Sequence, residues 1–451
     1  MLWYTLFMTN NRTKNALVRE HVLSELECGR LSGGGRLPGA RELAESLGVS
    51  LLTVQNALAT LVKEGVLRVI PRQGTYVDSE IASRILQSNA SCYIPWEQLP
   101  WGQEFQRRCS EQLPQLHFSN LMRSSVFEIR ATPETQSRTN EYLDLAPIFH
   151  ELWPDTKVFF QEQLKTFSQG KKIYGVPILF SPRVVFINTE MFHAAGVSLP
   201  SSDWGWDDFF DTIAQLREKL PSEQVFSWAT DIYLWMNFVL RSGGALLDPS
   251  LSDPVLIDSA ATVRGLQRFR QLRTMLAYQQ GQKHNHFWHG KVALAVAPRQ
   301  ALGRIKLNGW DSWDTVPLPT DKDGCESKSM QAAELFCVRR SCVDLSVAKK
   351  VLKILLSADF QDYIAELKYA IPLRRSSAEK SFDGNDPRDQ IFRQELLRTQ
   401  SQYHLNSSEL FSVVTKGVAQ LLQRDSELES GLRDMGNMLR TYLKIIGKQK
   451  E

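Results

Sequence analysis

The chain has 451 residues, with 53 Lys+Arg against 50 Asp+Glu and a formal net charge of +3. Its 43% hydrophobic, 23% charged and 10% aromatic content is that of globular domains, which excludes a disordered tail, a collagen-like rod and a coiled coil and, at one domain per ~150 residues, predicts about three units. A chain this close to neutral is no bulk polycation, so any contact with nucleic acid falls to one local module.

The opening Met1–Met8 is briefly apolar, lacks a basic stretch and a small-residue cleavage site, and runs straight into polar Thr9-Asn10-Asn11-Arg12. It reads as a poor secretion signal, with Met8 a candidate start. No apolar run reaches the roughly 18 residues of a membrane span, so no contact with a membrane is expected. The six cysteines, at 28, 92, 109, 325, 337 and 342, form no Cys-x-x-Cys. That argues against a zinc ribbon, a redox dithiol or a disulfide framework and fits a reducing cytoplasm.

Residues 12–28 place Leu17, Val18, Val22, Leu23 and Leu26 near helical spacing, closed by Cys28-Gly29. The glycine-rich stretch Leu31–Gly39 follows no strand and precedes no Gly-Lys-Ser/Thr, so it reads as a flexible linker rather than a phosphate loop. A short helix Arg41–Leu47 stops at Gly48, and Ser50 stands where a helix N-cap is wanted. The next helix, Leu52–Glu64, turns Val54, Leu58, Leu61 and Val62 inward, with Gly65 just past its end. Two strands, Val66–Ile70 and Thr75–Val77, flank the turn Pro71-Arg72-Gln73-Gly74. Helix, helix, turn, helix and hairpin in this order make a winged helix-turn-helix.

Leu37-Pro38-Gly39-Ala40-Arg41-Glu42-Leu43-Ala44, Gly48-Val49-Ser50, Thr53-Val54-Gln55-Asn56-Ala57-Leu58 and Gln73-Gly74-Thr75-Tyr76-Val77 resemble, in order and spacing, the DNA-binding domain of the GntR family of bacterial repressors. The resemblance implies that Arg41 meets phosphate or a base edge, that Ser50 and Thr53 touch the DNA backbone, and that Gly74 brings the wing tip to the minor groove. Gln55 and Asn56 carry amides able to read adenine, and Arg72 and Gln73 belong to the wing turn. Leu51-Leu52 depart from the Arg-Thr that relatives often carry after the Ser. Residues 1–80 hold nine Lys/Arg and eight Asp/Glu, so a basic face must come from the arrangement of Arg41, Arg68 and Arg72, with Lys14 assisting.

Residues 78–91 are polar and serine-rich, and ten of the eleven tryptophans lie between Trp96 and Trp313. The expected division is a winged-helix head over 9–78, a linker over 79–91 and an effector domain over 92–451. That last length exceeds the small effector types of such regulators. Lys172–Ile178, Val184–Phe192, Ala195-Gly196-Val197, Trp206–Phe210, Ser242–Asp248, Phe287–Leu294, Val316–Pro319 and Ala370–Arg374 resemble, in order, the extracellular sugar-binding proteins of transporters. The expected fold class is therefore multidomain: an α+β winged helix-turn-helix head followed by an α/β two-lobed periplasmic-binding-protein-like (type II) domain.

Sugar sites stack aromatic rings and use planar polar groups. The tract Trp228–Asn237 interleaves both, and Trp228 and Trp235, seven residues apart, share a face on a helix, with Asp231 between them. Trp228, Asp231, Trp235 and Asn237 are thus ligand candidates, with core packing of the two rings as the competing reading. The resemblance adds Phe180, Arg183, Trp288, Arg299 and Trp310. His284, His286 and His289 read as a solvated turn rather than a metal site, and Asp321-x-Asp323-Gly324 lacks the later ligands of a calcium loop. No nucleophile elbow or convincing carboxylate pair occurs, so no catalytic residue, metal or cofactor is expected. The expectation is a cytoplasmic, dimeric, non-enzymatic regulator, a repressor by resemblance. A small ligand, by resemblance a sugar, closes the two lobes, shifts the spacing of the heads and so controls affinity for the operator. Two rivals are a GntR-type regulator with a pyridoxal-phosphate aminotransferase-like domain, for which no Ser-x-x-Lys neighbourhood is found, and a DNA-binding protein whose large domain only oligomerises.

Overall fold

The computed structural model describes residues 14–27, 31, 33–79, 91–94, 99–114, 116–119, 125–165, 168–169, 171–228, 231–278, 287–321, 327–342, 345–400, 404–405, 407–423 and 427–448. The expected linker thus falls largely outside the described residues. The head comprises helices α1 (Lys14–Glu27), α2 (Ala40–Leu47) and α3 (Leu51–Lys63) and the antiparallel strands β1 (Leu67–Ile70) and β2 (Gly74–Val77). Gly48, at φ +62°, ends α2 in the left-handed region, and the Ser50 hydroxyl accepts the Thr53 N–H at 3.1 Å to start α3. Val18, Val22, Leu43, Val54, Leu58, Leu61, Leu67 and Val77 form its core. Leu17, expected inward, is 38% exposed, because Val18 and Val22, one turn apart, centre the buried stripe and leave it at the rim. Arg19 ties α1 to α3 by 2.7 Å bonds to the Thr60 hydroxyl and the Glu64 carboxylate.

The glycine-rich stretch is not the flexible linker expected. Gly34 N donates to Val77 O (3.1 Å), Val77 N to Gly35 O (2.8 Å) and Leu37 N to Thr75 O (2.9 Å), so the segment lies along β2 as a third edge of the wing. Pairing between segments this far apart leaves no local signal, and glycine composition alone reads as freedom. The wing turn holds Arg72 at φ +65° and Gly74 at φ +122°. Only glycine adopts the second without strain. Gly74→Val is expected to cost the head about 1–3 kcal/mol. Hydrogen exchange at the Leu37 and Val77 amides measures it, and unchanged protection would contradict the strain.

The remainder follows in chain order as β3 (Ser91–Tyr93), α4 (Gly102–Gln112), β4 (His117–Ser119), β5 (Phe127–Ala131), α5 (Thr132–Ser137), β6 (Val176–Ser181), β7 (Arg183–Asn188), α6 (Trp206–Lys219), β8 (Phe226–Ser227), α7 (Asp231–Arg241), α8 (Ala260–Met275), β9 (Leu294–Pro298), β10 (Trp313–Val316), β11 (Ser329–Met330), β12 (Ala332–Val338), α9 (Leu345–Leu355), β13 (Ile371–Pro372), α10 (Pro387–Glu395), β14 (Thr399–Gln400), α11 (Ser408–Leu421) and α12 (Leu428–Lys448), with shorter helices and a small antiparallel pair of strands, Ser168–Gln169 with Lys172–Ile173, between. The chain divides into two compact units, Met1–Ile129 with Phe336–Leu355, and Arg130–Leu335 with Leu356–Glu451.

In the first unit β3 pairs in parallel with β4 and β5, and α4 packs on α9. In the second, a four-stranded sheet runs β8-β9-β7-β10, with β7 antiparallel to both neighbours. There β6 pairs with β13 instead, so the chain leaves one sheet and enters another through Pro182 alone. Every residue of β6 and β7 is buried, as their unbroken apolar runs require. Trp204, Trp206, Phe209, Phe226, Phe238 and Phe269 centre the large core of this unit, which α11 and α12 complete with Val414, Val418, Leu432 and Leu439.

Candidate functional site

On the head, α3 turns Val54, Ala57, Leu58 and Leu61 inward and leaves Leu52, Gln55 and Asn56 exposed. Arg41, on α2, and Arg72 and Gln73, in the wing turn, are exposed as well, and Gly74 is half-buried. Ser50 and Thr53 are committed to the cap, their hydroxyls 2.7 Å apart.

In the second unit the decisive element is α5. Its sequence, Thr-Pro-Glu-Thr-Gln-Ser, is polar throughout, yet all six residues are buried. Burying polar groups costs free energy unless they are paired or serve a ligand. Arg130, just before the helix, lies 3.3 Å from the Glu134 carboxylate and donates to the Tyr142 hydroxyl at 3.4 Å. Tyr233, half-buried on α7 and within electrostatic reach of Glu134 and Arg130, lies under the Arg183 guanidinium, 5.3 Å from the ring centre. Burial holds the Tyr233 phenol well above its ordinary range; the Glu134 carboxylate adds to the shift, and Arg183 and Arg130 oppose it. The phenol therefore stays a neutral donor at neutral pH. The Thr132 hydroxyl has no hydrogen-bond partner among the described residues. α11 packs against α5. The Arg130 and Arg183 guanidiniums, the Glu134 carboxylate and the Tyr142 and Tyr233 phenols form a largely buried cluster, with Tyr233 half-buried, that can bind a hydroxyl-rich ligand through directional bonds.

Of the expected ligand residues, this cluster contains Arg183. Phe180 is fully buried in β6 with its edge to Phe160, 5.3 Å away. Trp228 precedes α7, which begins at Asp231, so the shared helical face with Trp235 does not exist. Trp228 packs against Tyr278 at 4.3 Å and edge-on to Phe226 at 5.2 Å, and Trp235 is fully buried in the same core. The side chain of Asp231 lies outside the described residues, as do His284, His286 and Asp323. Asn237 is spent on structure: its amide donates to Tyr233 O and accepts the Met330 N–H, both at 2.8 Å, joining α7 to β11. Arg299 is buried against Asp389 (2.5 Å) and the Ser381 carbonyl (2.8 Å), where burial lowers its pKa and Asp389 opposes the shift. Trp288 and Trp310 are half-buried against a smaller core of Val184, Phe186, Phe287, Ile305 and Phe392, the first under Arg304 at 4.8 Å and the second edge-on to Phe287 at 5.1 Å. Asp321 is ion-paired to Arg268, not open to a cation. Sequence reasoning missed Arg130, Thr132, Glu134 and Tyr233. The one available signal was a polar, non-amphipathic six-residue run directly after the strand Phe127–Ala131, which itself carries Glu128 and Arg130.

Residues 15–77 match the bacterial regulatory proteins of the gntR family, and residues 142–324 match the bacterial extracellular solute-binding proteins. The chain joins a GntR winged helix-turn-helix to a solute-binding-protein body. The diacetylchitobiose binding protein DasA of Streptomyces coelicolor is 25% identical over 284 residues, 58% of this chain and 62% of its own length. The HTH-type transcriptional repressor NagR of Bacillus subtilis is 35% identical over 74 residues, 16% of this chain and 30% of its own. The chain thus spans less than two thirds of either relative. Among solved structures, the ABC substrate-binding protein Lmo0181 from Listeria monocytogenes, in complex with cycloalternan, superposes with a TM-score of 0.65 at 15% identity, covering 79% of this chain and 98% of that one. The GacH receptor of Streptomyces glaucescens, studied unliganded and with acarbose, gives 0.65 at 17% identity over 79% and 98%. These likenesses show the fold: a two-lobed periplasmic-binding-protein type over most of the chain. That fold displaces the aminotransferase-like alternative. Both matched families are of non-enzymatic kinds. Among the described residues no helix is long and apolar enough to cross a membrane.

Proposed function

We propose that this chain is a transcriptional repressor whose affinity for an operator is set by a saccharide bound at the Glu134–Tyr233 cluster. The observation that carries the reading is the union, in one chain, of a gntR-type head with a solute-binding body that holds a buried polar cluster. The protein acts in the cytoplasm as a homodimer, each head taking one half-site about one helical turn from the other. Saccharide binding closes the lobes, and a coupling of ~1–3 kcal/mol changes operator affinity from several-fold to over a hundredfold.

The test uses the full-length protein with a duplex selected from a random library. Diacetylchitobiose and maltose lead the saccharide panel, and operator affinity is measured with and without each. A saccharide that raises the melting temperature and weakens DNA binding supports the reading. Selection of a duplex whose affinity no saccharide alters refutes the sensing half of it. Tyr233→Phe is expected to weaken the active saccharide about fivefold, because one hydrogen bond is lost, with operator affinity in its absence unchanged. Equal saccharide affinity would remove Tyr233 from the site. Arg41→Ala, at an exposed position on α2, is expected to weaken operator binding and to lower the salt slope by about one, since one phosphate contact releases about one counterion. Titrations at several salt concentrations measure this, and an unchanged slope would exclude the phosphate contact.

A further inference from the structure

The first turn of α3 presents an apolar side chain to solvent where a DNA-reading helix has most use for polar ones. Leu52 is 65% exposed, the most exposed of the large hydrophobic side chains among the described residues of the head. The neighbouring polar groups are occupied, since the Ser50 and Thr53 hydroxyls are bonded to each other and Ser50 caps the helix. At 3.6 residues per turn, Leu52, Gln55, Asn56, Ala59 and Lys63 fall on one stripe, and all five are exposed. The stripe therefore begins with a leucine, continues with two amides and ends with a cation, and Arg41, Arg68 and Arg72 are exposed on the neighbouring elements.

We infer that Leu52 is a base-reading residue, whose side chain packs on the 5-methyl group of a thymine in the major groove, beside the step that Gln55 and Asn56 address. The inference rests on the DNA-binding reading. A leucine has no donor or acceptor, so it cannot distinguish the hydrogen-bonding edges of the bases. The thymine methyl is the one apolar group that the major groove displays, and apolar side chains read it by contact. The N-terminal part of a recognition helix is the part that reaches base edges. Exposure of the leucine in the free protein is then the state before the contact, and its burial against the methyl removes both from water.

The experiment selects a binding duplex from a random library with the full-length protein. Each thymine of the selected site is then replaced by deoxyuridine, which lacks only the methyl group. At one thymine per half-site the wild type is expected to bind about fourfold more weakly after replacement, the worth of one buried methyl. Leu52→Ala is expected to bind the parent duplex more weakly and to be indifferent to that replacement. A second variant, Leu52→Arg, is expected to shift the preferred base at that position to guanine, which presents two acceptors to a guanidinium. The inference is overturned if no thymine is sensitive, or if Leu52→Ala keeps the sensitivity of the wild type. It is overturned too if Leu52→Ala lowers the melting temperature with methyl sensitivity unaltered, since the leucine then packs against protein. If selection yields no preferred sequence, the DNA-binding reading falls with it.

Discussion

Glu395→Gln is expected to lower the stability of the second unit by about 3–5 kcal/mol. Glu395, at the end of α10, is bonded to Arg241 at the end of α7, and both residues are buried. Burial pushes the Arg241 guanidinium down to about 9, with nearby Arg398 adding to the shift. Its Nε and Nη1 have no hydrogen-bond partner among the described residues. Glu395 thus supplies the charge that makes a buried guanidinium tolerable. Glutamine keeps the shape and an acceptor oxygen but removes the countercharge, and the desolvation cost of the cation is then uncompensated. Chemical denaturation measures the loss. The double variant Arg241→Met with Glu395→Leu is expected to recover most of it, because removing both charges removes the cost. A single-variant loss under about 1 kcal/mol would show that water reaches the pair.

Trp235→Ala is expected to cost about 3–5 kcal/mol by leaving a cavity. The indole is fully buried in the core that includes Trp206, Phe238 and Phe269, and its N–H has no hydrogen-bond partner among the described residues. Its contribution is therefore apolar packing, not ligand recognition. Calorimetry should show a lower transition for the body, while saccharide affinity in the protein that remains folded stays within about twofold, since the removed ring adds no directional bond. A normal melting temperature with lost saccharide binding would return Trp235 to the site and contradict the packing described.

The head was almost wholly legible because its signals are local. Ser50, Gly48 and Gly65 mark helix ends chemically, and the stripe of Val54, Leu58 and Leu61 has the helical period. What was not legible was long-range: nothing in Gly33-Gly34-Gly35 announces a strand partner more than forty residues on. In the body, ordered landmarks revealed the fold, whereas the aromatic and polar tract at Trp228–Asn237 admitted two readings for a physical reason. Aromatic rings interleaved with polar groups serve a sugar platform or a core equally well, and the choice depends on where a helix starts. Because α7 starts at Asp231, the pattern at Trp228 and Trp235 carried no shared face. The Asn237 amide looked like a ligand donor but satisfies backbone groups of two elements. Conversely, Glu134 and Thr132 lie in a helix without amphipathic period, and a helix buried all round by its fold gives a sequence reader no face to find. Tyr233 was hidden by its more conspicuous neighbours.

The four described cysteines have a consequence for reactivity. Cys92, Cys109, Cys337 and Cys342 are buried, and all four belong to the first unit. Burial raises the Cys92 thiol well above its ordinary range, with Cys109 and Glu128 adding to it, and pushes Cys109 up to about 12. Only the thiolate attacks an electrophile, so both groups are chemically silent while their surroundings stay closed. Alkylation at these positions is therefore a clock for the opening of the first unit. Where opening and closing outrun the reagent, the labelling rate follows the equilibrium population of the opened form. Most tryptophans lie in the second unit, with Trp101 buried in the first, so fluorescence weighted toward the second unit complements the thiols of the first as a native reporter for two bodies that need not loosen together.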